Sequence, residues 1–568
     1  LRFFLLLKRR LKLMLDSELH FSEIPVVDKE RSRFDRSFSH KSCFNAGELI
    51  PLDVEEVLPG DTLTVDFSHV TRMTTPIAPV MDNAAFEVYA FFVPNRLVWT
   101  HWKEFYGENN STHWEQPVTY TIPQISAPAS TGWDVGSLAD YLGLPVGVAG
   151  LEVNHLPFRA YIKIWNDWFR DENLKDPGYF TEDETTVTGK NYDSLTYDYV
   201  TDTECGALPL KVAKWHDYFT SALPEPQKGP DVPLPLGTSV PVITGTEFDV
   251  SKNPPLSVAP VLNTSITSGV GHDLFIMEPA GDPNHWTVRE NQGTYTGVSG
   301  FSPIAPSNLY ADLSNATAAT INQLRQAFAV QRFYEAQARG GSRYIEMLKS
   351  IFGVTSPDAR QQRAEFLGAK RFPINIDQVL QTSATDAVTP QGNTAAYSCT
   401  VNVDDLCTYS ATEHGYFLVL GCVRQEHSYA QGVEKMWSRK KFTDFYVPQF
   451  AHLGEMPILN KELYAQGTST DNEVFGYQEA WAEYRYHPNR VSGKLRPGVS
   501  GSLDIWHFAD YYQSLPMLSS EWIDETDQNI YRTLAVQNEP QFIVDSYFKS
   551  VWTRVMPLYS VPGLLDHF

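Results

Sequence analysis

The stretch QRFYEAQARGGSRY at 331–344 sets Arg332, Arg339 and Arg343 among two tyrosines and a phenylalanine, with Gly340-Gly341 between them. Three chemistries use such residues: a phosphate-cradling loop, contact with nucleic acid, or scaffold. A phosphate cradle needs a preceding strand and a following lysine, so that backbone amides converge on the anion, and neither is present. The glycines read instead as the end of one helix turning into the next. That leaves the arginines for a neighbouring subunit or for nucleic acid. A second basic run, RSRFDRSFSHK at 31–41, places Phe34 and Phe38 among Arg31, Arg33 and Arg36. A base could stack on those rings; alternatively the arginines pair with acids of an adjacent subunit. A third cluster, Lys8, Arg9, Arg10 and Lys12, breaks the apolar run LRFFLLLKRRLKLML.

Catalytic constellations do not assemble. GVSG occurs at 297–300 and 498–501, but the glycine spacing around the serine is not that of a nucleophile elbow. No Walker loop, dinucleotide fingerprint or HExxH is present. His414 and His427, each beside a glutamate (Glu413, Glu426), sit at opposite ends of an apolar strand and read as exposed or hydrogen-bonded rather than as metal ligands. Asp504 and Asp510 are the acids that a carbohydrate-active enzyme would require as a pair, and nothing in their spacing separates them from solvated loop acids. The five cysteines, Cys43, Cys205, Cys399, Cys407 and Cys422, show no CxxC spacing and read as buried free thiols. No cofactor or metal is expected.

The elements that position these residues are mainly strands. The chain has 568 residues, 42% hydrophobic and 13% aromatic, with 37 prolines and few long helical periods, a pattern of β-strands joined by structured loops. DTLTVDFSHV (61–70), AFEVYAFFV (85–93), TAAYSCTVNV (394–403), GYFLVLGCV (415–423) and SLDIWHF (502–508) are predicted strands, with Phe86, Val88, Phe91, Phe417, Val419 and Ile505 in the core. Helices are predicted at 156–172, 208–223, 321–338 and 342–353. Residues 1–50 read as an arm, 31–41 having no strand period. For residues 1–13 a basic amphipathic arm and an untranslated stretch ahead of Met14 are both open. The apolar N-terminal run is too short for a membrane span. Residues 226–318, rich in Pro, Gly, Ser and Thr, read as an inserted surface excursion between 51–225 and 319–568. A formal charge of −23 excludes global attraction to nucleic acid, so any such contact must be local.

Seven blocks carry a resemblance. FDRSFSHKSCFNAGELIPLDVEEVLPGDT (34–62), PVMDNAAFEVYAFFVPNRLVWTHWKEFYGEN (79–109), LPFRAYIKIWNDWFRDENL (156–174), FAVQRFYEAQARGGSRYIEMLKSIFGVTSPDAR (328–360), DQVLQTSATDAVTPQGNTAAY (377–397), VFGYQEAWAEYRYHPNRVSGKLR (474–496) and MPLYSVPGL (556–564) stand in order along the chain. Together they resemble the major capsid proteins of the gokushovirus group of microviruses, small icosahedral single-stranded DNA bacteriophages. The resemblance implies a non-enzymatic virion component with an eight-stranded antiparallel jelly roll, long loop insertions and a few short helices. It implies assembly in the bacterial cytoplasm into a shell of sixty copies around a single-stranded DNA genome. A small basic internal protein would supply counter-charge, and 226–318 would form a protrusion that meets a host-cell receptor. The alternatives are a β-rich carbohydrate-active enzyme and a receptor-binding spike with no shell role.

Overall fold

The computed structural model describes residues 30–109, 119–230, 232, 321–383 and 390–560, with short strands at 242–244, 273–277, 287–291 and 309–311. The chain divides into two units, with boundaries between Lys228 and Gly229 and between Tyr334 and Glu335. The larger unit is built on two antiparallel sheets.

The first sheet uses half-buried strands. Along β4 (Thr62–Met73), side chains alternate in and out, with Leu63, Val65 and Phe67 inward. The last strand, Phe542–Arg554, does the same with Phe542, Val544, Phe548 and Trp552. This is the period of a strand wet on one face. β1 (Ser32–Asp35) and β2 (Phe38–Phe44) lie end to end along that last strand, pairing Phe34 with Trp552 and Phe38 with Phe548. Residues 31–41 are therefore not an arm without period. They continue a sheet, and their alternation is hard to see in sequence because the inward positions are only half covered. Numbered in chain order with β3 (Ile50–Val57), β5 (Ala84–Pro94), β6 (Glu365–Pro373), β7 (Thr400–Ser410), β8 (Gly415–Gln425) and β9 (Phe542–Arg554), the sheets are β1/β2–β9–β4–β7 and β6–β5–β8–β3.

The inner faces share one core. Phe67 of the first sheet lies 6.3 Å from Phe86 and 6.2 Å from Phe372 of the second, ring centroid to centroid. β6 and β7 meet where the sheets join, each with a bulge, at Phe366/Gly368 and Asp405/Cys407. A Cβ on Gly368 would stand 2.4 Å from the Leu406 carbonyl oxygen, so only glycine permits the approach. The architecture is mainly β, in antiparallel sheets with a few short helices, consistent with the jelly roll the resemblance implies.

β5 and β8 are buried on both faces, which explains their apolar runs; the one acid within β5, Glu87, is buried against Arg424 (2.5 Å). Their outer face, Phe91, Val93, Leu418 and Leu420, is covered by helix α1 (Leu156–Ile164) and the wider turn Trp165–Phe169. Tyr161 ties this layer down: its hydroxyl donates to the Leu49 carbonyl (2.8 Å) and accepts from the Leu210 amide (2.9 Å).

Phe86, Val88, Phe91, Phe417 and Val419 are buried as expected. Three other expectations fail. The cysteines are not all buried: Cys43 is exposed on an edge strand and Cys399 is half-buried. Residues 208–223 are extended, with bridges from Lys211 to Glu48, Ala213 to Asp524 and Leu223 to Tyr477. Leu210 and Val212 bury alternately, and the Asp217 carboxylate accepts from the amides of Phe219 (2.9 Å) and Thr220 (2.8 Å), forming a turn in place of the predicted helix. The 502–508 strand is a short turn, Asp504–Trp506, with Ile505 half-buried. Arg532 gathers the carbonyls of Asp504, His507 and Ala509 at 2.8–3.2 Å, curling the segment so that Phe508 takes the core position.

Helix α2 (Ile321–Gly340) ends at the predicted glycines, Gly341 standing at φ 94° in the region glycine favours, and α3 (Tyr344–Phe352) follows. In the smaller unit, 242–244 pairs with 309–311 and 273–277 with 287–291, both antiparallel. Among the described residues no helix is long and apolar enough to cross a membrane.

Candidate nucleic-acid interface

The singled-out cations fall into three groups. Lys8, Arg9, Arg10 and Lys12 lie outside the described residues. At the β1/β2 edge, Arg31 bonds the Gly60 carbonyl, and Arg33 points out to solvent. Arg36, in the turn between the strands, reaches Glu55 at 2.5 Å with its guanidinium 5.5 Å from the Trp552 ring centroid. Phe38 stacks on Phe548 at 5.0 Å and 14° between planes, so one face of its ring is used by the core. Phe34 is half-buried opposite Trp552. Near Arg36 lies Asp53, whose pKa burial and the nearby Glu55 push up to about 8 against the pull of Arg36.

In the opening stretch, Arg339 bonds Gln478 (2.6 Å) and pairs with Glu455. Arg343 bonds Glu346 (3.1 Å) and the carbonyls of Asn166 (3.1 Å) and Arg170 (2.9 Å). These two arginines fasten the helix joint to α1 and its neighbours. Arg332 is exposed on α2.

A different basic surface, which the sequence patterns did not single out, is assembled from 434–446 and 484–496. These two segments hold eight Lys and Arg against two acids, inside a chain of net charge −23. Three of the cations have acid partners: Arg439 with Glu483 (3.1 Å), Arg485 with Glu479 (2.5 Å) and Arg490 with Glu434 (2.9 Å). Among the described residues, Lys440, Lys441 and Lys494 form no ion pair. Asp444 spends its carboxylate on the backbone amides of Lys440 (2.7 Å) and Lys441 (2.8 Å), which hold its pKa below the ordinary value and leave both lysine heads in solvent. Trp437 and Phe442 flank the run, 75% and 77% exposed. The segments border one cavity of about 910 Å³, lined by Met436, Trp437, Tyr484, Tyr486, Arg490 and Arg496 among others. The signal in sequence was the run Arg439–Lys441 between Trp437 and Phe442, a local charge inversion in an acidic chain.

Buried groups position this surface. His427 sits between Asp510 (3.0 Å) and Glu525 (3.2 Å). Burial opposes its charge, but the two carboxylates outweigh burial and push its pKa up to about 10. Asp510, despite burial, is held well below the usual carboxylate range by His427 and Lys214, and also accepts from Asn529 and Tyr512. The Asp510 amide donates to the Ser428 carbonyl (2.9 Å) and Asn489 Nδ2 to the His427 carbonyl (3.2 Å), which fixes Ser428–Tyr429 alongside Asn489–Arg490 in a parallel pair. Trp481 adopts φ 63°, a left-handed backbone unusual for a bulky residue. Its buried ring donates from Nε1 to the Phe450 carbonyl (2.8 Å), and the turn that follows presents Tyr484 to Arg439, 4.4 Å above the ring. His414 stands elsewhere, stacked on Tyr106 at 4.7 Å, so the two histidines are not brought together. Among the described residues no group of His, Cys, Asp and Glu is arranged to hold a metal.

Comparison with known proteins agrees with this architecture. The family model described as capsid protein (F protein) matches residues 22–564. Capsid protein VP1 of Spiroplasma virus 4 is 43% identical over 92% of this chain and 94% of its own length. Capsid protein VP1 of Bdellovibrio phage phiMH2K is 40% identical over 96% and 98%, and that of Chlamydia phage 1 is 37% identical over 96% and 97%.

Proposed function

The chain belongs to the capsid protein (F protein) family, a structural and non-enzymatic virion component, and from that premise we propose that copies of it close into an icosahedral shell around a single-stranded DNA genome. One observation carries self-association: over nearly its whole length the chain matches proteins named as capsid proteins, at 37–43% identity. Asp510, an acid that a carbohydrate-active enzyme would need, is spent inside on His427, Asn529 and Tyr512.

The finer reading has three parts. The −23 charge calls for counter-charge, which a small basic internal protein would bring. Residues 226–318 would form the outward protrusion that meets a host receptor, since a Pro-, Gly-, Ser- and Thr-rich excursion of this kind is where surface variation is tolerated. Assembly would take place in the bacterial cytoplasm. The test is sedimentation velocity and negative-stain microscopy of the purified full chain. Closed particles of one diameter are expected; a chain that stays monomeric at every concentration would overturn the shell reading.

A further inference from the structure

We propose that the surface formed by 434–446 and 484–496 binds single-stranded nucleic acid, with Lys440, Lys441 and Lys494 on phosphates and Trp437, Phe442 and Tyr486 as stacking faces. This rests on the shell reading and deepens it by naming where an enclosed strand meets the coat.

Three features point to nucleic acid over a second copy of the chain. First, five of the eight cations have no acid partner, and four of those five (Lys435, Lys440, Lys441 and Lys494, the other being Arg496) are lysines, which protein–protein interfaces deplete and phosphate contacts use. The acids at the surface, Glu434, Glu462, Glu479, Glu483 and Asp444, are already engaged by Arg490, Tyr218, Arg485, Arg439 and backbone amides, which leaves the unpaired cations in excess. Second, the aromatic rings are presented, not packed: Trp437 and Phe442 stand more than two-thirds clear, while Tyr484 and Tyr486 rim a concavity of about 910 Å³ that admits an unstacked base. Lys435, Arg439, Arg490 and Arg496 line that concavity, and Lys440, Lys441, Phe442 and Lys494 stand exposed on the same two segments outside it; rings beside cations are the means by which single strands are held without sequence preference. Duplex DNA keeps its bases stacked and would leave these rings unused. Third, the surface is held in place beforehand. The His427–Asp510–Glu525 cluster and the left-handed Trp481 fix both segments from below, so little ordering is needed on binding.

The probe is a fluorescent oligothymidylate about 16 nucleotides long, the upper end of typical site sizes, titrated into the purified full chain at about 50 and about 200 mM salt. Binding should quench tryptophan fluorescence and weaken steeply with salt. Lys440→Gln/Lys441→Gln/Lys494→Gln should flatten the log–log salt slope by about 2, roughly 0.7 for each phosphate that no longer meets a lysine. Trp437→Ala should weaken binding roughly five- to a hundredfold, the range for one base–aromatic stack, while Lys440→Arg/Lys441→Arg should keep it. Unchanged affinity and slope in the Gln variant would overturn the proposal. So would a Gln variant that binds the oligonucleotide normally but no longer forms particles, which would make the surface a subunit contact. Should a variant fail to fold, crosslinking of a bromodeoxyuridine strand to the unaltered chain decides: adducts within 434–446 or 484–496 support the site, and adducts confined elsewhere overturn it. Particles imaged in the same preparations keep a failed shell reading distinct from a failed binding site.

Discussion

At 31–38 three arginines accompany two phenylalanines; at 435–442 four cations flank a tryptophan and a phenylalanine. The first set is drawn into the fold. β1 and β2 take their register from β9, which lays Phe38 on Phe548 and brings Arg36 to Glu55 and over Trp552. The second set has no strand to pair with. Its short turns close on the Asp444 carboxylate and leave rings and lysines outside. Like compositions thus end differently because one has an edge strand waiting for it. Whether a basic–aromatic stretch serves folding or binding is decided by what covers it.

The sharpest way to break the contrast is to truncate one tryptophan on each side. Trp552 is fully buried, with Phe417 against it at 6.3 Å and the Arg554 guanidinium 4.5 Å from its centroid. Trp552→Ala should cost about 3–5 kcal/mol in urea unfolding of the subunit, whereas Trp437→Ala should stay within about 0.5 kcal/mol. Equal losses would erase the distinction. Next in size, Arg36→Gln leaves Glu55 without its partner beside buried Asp53, and should cost about 1–3 kcal/mol.

Asp53 gives the edge a pH signature. Its folded pKa, about 8, lies above the ordinary aspartate value of 3.8, so the folded state holds its proton more tightly. Its contribution to stability is full below the ordinary value and is lost as pH rises through about 8. Asp53→Asn should therefore be more stable than the parent near pH 9 by at least about 1.4 kcal/mol, one pKa unit's worth, with the gap closing towards pH 4. His427, raised to about 10, adds its own alkaline loss above its ordinary value of 6.5, and that loss should persist in Asp53→Asn. Thermal melts across pH separate the two. The smallest effect belongs to the open side: Phe442→Ala should shift the melting temperature hardly at all, a surface change worth less than about 0.5 kcal/mol.

Much of the sandwich was legible because its strands obey simple periods. β4 alternates, and β5 and β8 run apolar since both their faces are covered. The jelly-roll order itself came from resemblance, not from periods. What local pattern could not show was set by distant partners. LPLKVAKWHDYFTSAL has a helical look, yet Glu48, Asp524 and Tyr477 hold it extended from far along the chain. Ile505 lost its core place to Phe508 through Arg532. The same holds for the candidate site. Arg36 looked available because its partner Glu55 lies on β3 of the other sheet, and the 434–446 run gave a weak signal because part of its surface comes from 484–496.

The most direct test counts nuclease-protected DNA per purified particle in two variants. Lys440→Gln/Lys441→Gln/Lys494→Gln should form shells of normal yield that retain less DNA, the deficit growing with salt. Arg31→Gln/Arg33→Gln/Arg36→Gln should form fewer particles, each with a full DNA content. Normal DNA content in the lysine variant, with DNA-poor shells from the arginine variant, would contradict the account.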